Sequence, residues 1–82
     1  MKLFLISQEQ NNSYDTYDSA VVAAPDEEIA RHIDPGSGKQ KEDWDAKYGD
    51  WCNSPDDVIV TYIGEAADNV KQGVICASYN AG

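Results

Sequence analysis

The sequence predicts a small α+β domain: a mostly antiparallel four-stranded sheet, in the order β-β-α-β-β, with one helix packed on one face. Three observations lead there. Four short runs rich in β-branched, aromatic and small apolar residues are separated by turn-forming sequence. Only the segment between the second and third runs joins a helix start, an apolar stripe and a stop signal. A chain of 82 residues forms a single domain, with no room for a second core.

The first strand is expected over residues 2–8, apolar on both faces and therefore central in the sheet. Asn11-Asn12-Ser13 is turn chemistry. A second strand follows over 17–24, built on Ala20-Val21-Val22-Ala23. Strands joined by so short a polar loop pair as an antiparallel hairpin. Pro25-Asp26-Glu27-Glu28 opens a helix over 26–33, with Pro25 in its first turn and the acids at the positive end of its dipole. Ile29, Ala30 and Ile33 form its buried stripe, and Asp34-Pro35-Gly36 ends it.

Residues 36–57 read as a long loop containing aromatic residues, closed by Ser54-Pro55-Asp56-Asp57 as a cap and one helical turn. The third strand, 58–63, puts Val58, Val60 and Tyr62 on one face and Ile59, Thr61 and Ile63 on the other. A turn or short helical piece is expected around Ala66-Ala67-Asp68-Asn69, and the last strand over 73–79. One short helix covers little of such a sheet. Its opposite face needs the tryptophan loop or a second copy of the chain.

Fifteen Asp and Glu against six Lys and Arg give a formal net charge of −9. That charge repels the phosphate backbone of nucleic acid and anionic membrane surfaces. It leaves a basic protein partner, a small ligand in a local pocket, or plain solubility. The apolar stretch Leu3-Phe4-Leu5-Ile6 is shorter than the roughly 7–15 residues an export signal needs. A cytoplasmic location is therefore expected, with Cys52 and Cys76 as reduced thiols.

The chemistry-bearing residues are sparse. The single histidine, His32, falls at the end of the helix, where it interacts with the dipole. Nothing in the sequence brings it to either cysteine to form a nucleophile–base pair. Asp15 with Asp18, and Glu42 with Asp45, are spaced three apart in polar segments and read as solvated charges. No zinc, calcium or phosphate-loop pattern occurs. The expectation is a protein that is not an enzyme, with no cofactor and no metal.

Two features rise above this background. Tyr14-Asp15-Thr16-Tyr17-Asp18-Ser19 interleaves rings, carboxylates and hydroxyls at the mouth of the hairpin. Trp44, Tyr48 and Trp51 lie in the long loop among Glu42, Asp43, Asp45 and Asp50. Tyr and Trp give large contact area at low entropic cost. The same rings can instead cap the uncovered sheet.

The tyrosine segment continued through Ala20-Val21-Val22, the C-terminal Gly73-Val74-Ile75-Cys76-Ala77-Ser78-Tyr79-Asn80-Ala81-Gly82, Glu27-Glu28-x-Ala30-Arg31-His32-x-x-Pro35 and Trp51-Cys52 together resemble a group of small bacteriophage- and prophage-encoded proteins. The likeness covers most of the chain outside residues 36–50 and includes no catalytic motif. It implies three roles. One is a stoichiometric inhibitor of a host defence, as anti-CRISPR proteins are, whose acidic surface blocks a basic host protein through the acids and rings of residues 42–51. Another is an oligomeric sponge for a nucleotide signal, stacking a base on Tyr14, Tyr17 and Tyr79 and meeting phosphates with Arg31, His32, Lys39 and Lys41. The last is a structural or regulatory phage accessory.

Overall fold

The structure is a computed structural model and describes residues 1–12, 14–44 and 49–80. Four strands, β1 (Lys2–Ser7), β2 (Thr16–Ala24), β3 (Ile59–Glu65) and β4 (Gly73–Asn80), form one sheet in the order β3-β1-β2-β4. Every neighbouring pair is antiparallel. The α-helix α1 spans Glu27–Arg31, and a 3-10 helix spans Pro55–Asp57. The expected α+β architecture is present, with the apolar first strand in the interior of the sheet.

The helix is shorter than the stripe suggests, and its start differs too. Asp26 is the N-cap rather than a helical residue, its carboxylate accepting the Ile29 amide at 2.8 Å. Pro25 therefore lies before the cap, outside the first turn. Asp is among the best N-cap residues because its side chain satisfies an amide the helix leaves unpaired. At the other end, residues 32–34 pair sideways instead of continuing the helix. The Lys41 amide donates to the His32 carbonyl at 2.7 Å, the Asp34 amide to the Lys39 carbonyl at 2.8 Å, and Ile33 forms a bridge with Gln40. Ile33 stays in the core, but on this small hairpin.

Ser54 caps the 3-10 helix as expected, accepting the Asp56 amide. Around Ala66-Ala67-Asp68-Asn69 there is a turn, with the Val70 amide donating to the Ala67 carbonyl, and no helix. Three register shifts interrupt the ladders. They leave Ile63 without a residue opposite it on β1, Asp18 without one on β4, and Ile75 without one on β2. Each is bulge-like and re-aims its side chain.

Phe4, Ile6, Val22 and Ala24 from the sheet meet Ala30 and Ile33 from the helix side, and Trp51, Cys52 and Val58 complete the same cluster. The tryptophan loop therefore packs on the helix face, not on the opposite one. Leu3, Leu5 and Val21 point to that other face, where they remain only half-buried. Among the described residues, no helix is long and apolar enough to cross a membrane.

Candidate functional site

The tyrosine–carboxylate end of the sheet is assembled from four segments distant in sequence. Tyr17 on β2 stands directly opposite Tyr79 on β4. Their ring centroids are 4.8 Å apart, with the planes tilted by 59°. Asp15 sits beside them in the left-handed region, at φ 61°, which Asp tolerates better than most residues. Its amide donates to the Asn80 carbonyl at 2.6 Å, and its carboxylate accepts the Tyr79 hydroxyl at 3.4 Å. Tyr14 is 74% exposed.

The long loop supplies the next carboxylates. The Tyr17 amide donates to the Asp50 carbonyl at 2.8 Å. A methyl group added to Gly36 would stand 3.5 Å from a carboxylate oxygen of Asp34, from one of Asp50, and from the Tyr17 ring. The two carboxylates and the ring edge thus surround Gly36, which leaves room between them. The shift that passes over Asp18 leaves that side chain exposed beside the tyrosine pair.

Loop and hairpin are laced together at this end. Asn11 Nδ2 donates to the carbonyls of Gly49 and Trp51 at 3.2 and 3.1 Å. Buried Gln8 donates to the Asn11 and Tyr17 carbonyls.

The local field has one sign. The Tyr79 hydroxyl is held above its ordinary pKa, first by desolvation against its neighbours, then by the charge of Asp15 and its hydrogen bond, with Tyr17 and Asp50 adding to the effect. The surface is one of aromatic rings with negative charge around them, which suits a guanidinium or ammonium group.

The other candidates are elsewhere. Trp51 is 1% exposed and belongs to the core, so its ring offers no contact surface. Arg31 is engaged structurally: its Nη1 donates to the Val58 carbonyl at 2.6 Å and to that of Pro55 at 3.2 Å. His32 Nδ1 lies 2.9 Å from the Glu28 carbonyl and 3.4 Å from its carboxylate. The His32 ring meets Trp44 edge-on, and Lys41 lies over the same indole. Trp44 is half-buried against the core.

Asp43 lines an open groove of about 430 Å³ with Asp34, Ser37, Lys39, Gln40, Lys41 and Glu42. Its charges are mixed. Asp45 and Tyr48 lie outside the described residues. Among the described residues, no cluster of three or more His, Cys, Asp or Glu could hold a metal.

Asp34 is the member of the tyrosine end that sequence reasoning missed. It reads there only as a helix stop, and its short local bond to the Gly36 amide at 3.0 Å gives no sign of a distant partner. Comparison with protein-family models, with curated proteins and with solved structures found no match.

Proposed function

We propose that the chain is a non-enzymatic binding protein that occupies a basic surface on a host protein, as a stoichiometric inhibitor of a host defence does. The observation that carries this reading is the tyrosine–carboxylate end: paired and exposed rings, with Asp15 bonded to Tyr79, Asp34 and Asp50 around the nearby Gly36, and Asp18 alongside. Cations pack favourably over aromatic faces, and complementary charge speeds encounter with a basic partner. The net charge of −9 reinforces that local field. The docking face is the mouth of the β1–β2 hairpin with Asp50 from the long loop, rather than Glu42, Asp43, Trp44 and Trp51.

The nucleotide-sequestering reading draws less support. Its rings and its cations are differently employed: Arg31 secures the backbone, His32 and Lys41 pack on Trp44, and the tyrosines have carboxylates for company.

The test is capture from host lysate with the wild-type chain and a Tyr14→Ala/Tyr79→Ala variant, followed by binding kinetics on what is captured. A basic host protein should bind, with an association rate that falls as salt rises. The double variant should weaken binding by roughly tenfold or more, whereas Asp43→Asn should change it little. A nucleotide found on the purified protein by native mass spectrometry, with no protein captured, would favour the sequestering role instead.

A further inference from the structure

We infer that β4 is the interface between two copies of this chain, the two β4 strands pairing antiparallel about a twofold axis into one eight-stranded sheet. The two edges of the sheet are unequal. The β3 edge carries Glu65, whose carboxylate holds the Tyr62 hydroxyl at 2.9 Å, and Gly64 at φ 151° beside the shift at Ile63. Charge and local irregularity are how natural sheets blunt an edge. The β4 edge also has irregularities, Gly73 at φ 146° and the shift at Ile75, but Gly73–Asn80 carries no charge of its own and no proline. Ile75 is 50% exposed and Tyr79 48%, and Cys76, Ala77 and Ser78 are exposed as well.

Beyond Gly73 and Val74, where Val74 packs against the core beside Gly38, neither face protects the strand. The helix packs on β1, β2 and β3, so even Ala77, on the core side opposite Ala20, is exposed. On the other face a hollow of about 180 Å³ runs along the β2–β4 seam, lined by Leu5, Ser19, Val21, Cys76 and Ser78 among others, with no Asp, Glu, Lys or Arg.

A second copy fits this surface better than a basic partner does. A basic partner would meet no carboxylate along β4 short of its Tyr79 end, where Asp15 accepts the tyrosine hydroxyl. Two copies of a −9 chain repel each other, and the strip they can bring together is one without charge. An antiparallel strand is also its own complement about a twofold axis. Pairing uses up both β4 edges and leaves only the blunted β3 edges outside, so assembly stops at two. A strand edge of eight residues is roughly 26 Å long. Such a contact is smaller than a standard interface of about 800 Å² per partner, so the dimer dissociates on dilution.

Salt separates this association from partner binding. Screening weakens attraction to a basic protein, but it strengthens the pairing of two acidic chains.

The experiment is sedimentation of the purified chain from micromolar to millimolar concentration at low and high salt, with amide hydrogen exchange at both ends of the range. The expected result is a monomer–dimer equilibrium that shifts toward dimer with salt, and slowed exchange of alternate β4 amides in the dimer. Ser78→Lys should weaken self-association by roughly tenfold or more, although it lowers the net charge and so the general repulsion. Thr61→Lys makes the same charge change on β3 and should leave the dimer intact. A monomer at every concentration overturns the inference. So does a dimer with unprotected β4 amides, one that survives Ser78→Lys, or one lost in Thr61→Lys. Protection of β4 that appears only when another protein is added overturns it too.

Discussion

The two aromatic regions of this chain look alike in sequence and are opposites in space. Both set rings among acids. Around Trp51 the chain turns under the helix, and the indole ends 1% exposed against the buried cluster. Tyr14, Tyr17 and Tyr79 gather at the end of the sheet, where hydroxyls and carboxylates stay in contact with water. A tyrosine carries a polar tip that favours such a boundary. Trp51 has flanking apolar company in Cys52 and Val58, and the Asn11 side chain fixes its carbonyl. What separates the regions is the neighbours each ring finds, not the charge of the sequence around it.

The sharpest way to break this comparison is truncation at both ends. Trp51→Ala should cost about 3–5 kcal/mol, comparable with the whole stability of so small a domain, on the order of 5 kcal/mol. Denaturant unfolding should find that variant largely unfolded. Trp51→Phe should be milder, since it keeps a ring and removes an indole N–H that has no hydrogen-bond partner among the described residues. Tyr79→Ala should leave the unfolding midpoint close to wild type while damaging binding. Equal loss of stability at both positions would merge the two regions into one core.

Arg31 gives a smaller effect of the same kind. Removing its side chain by Arg31→Ala strips two carbonyls of a charged donor and should cost about 1.5–3 kcal/mol. Arg31→Lys should recover only part, because an ammonium does not reproduce the guanidinium fork. Partner binding corrected for the folded fraction should be unchanged in both. A specific loss of binding by a stable Arg31→Lys protein would return this residue to the functional surface.

Much of the fold could be read from the sequence because its signals are local. The strand of alternating Val60 and Tyr62, which begins at Ile59 rather than Val58, the cap at Ser54 and the burial of Ala30 on the helix each need only their own neighbours. The strand order and the register shifts do not announce themselves, since they depend on pairings across the whole chain. The tyrosine end shows the division well. Tyr14, Asp15, Tyr17 and Asp18 stand out as a motif. Asp50 and Tyr79 were also legible as candidates, but their meeting was not. It rests on contacts such as Asn11 to the carbonyls of Gly49 and Trp51, 38 and 40 residues along the chain, and no periodicity encodes these. Trp51 was ambiguous for the same reason: only the tertiary path of residues 49–58 decides which way its ring faces.

The thiols extend the comparison to its finest grain. Cys52 lies in the tryptophan layer and Cys76 on open β4, and both are free. Burial, the largest influence, raises the Cys52 pKa above its ordinary value of 9.0, with a backbone hydrogen bond from Ser54 opposing the rise and the charge of Asp57 adding to it. An alkylating reagent at neutral pH should therefore modify Cys76 in the native protein, and Cys52 only once denaturant opens the core. The same shift fixes a sign for stability. Below pH 9.0 the thiol is neutral in both folded and unfolded chains, and its contribution is complete. As pH rises from there toward the higher folded-state value, the unfolded chain loses the proton while the buried thiol retains it. Stability must fall through that window. Tyr62 and Tyr79 are raised from 10.0 and act in the same direction at still higher pH, so the interval just above 9.0 belongs mainly to Cys52. Urea midpoints measured across it should decline in the wild type and more shallowly in Cys52→Ala. Parallel slopes for the two proteins would mean that the thiol is not buried with the tryptophan at all.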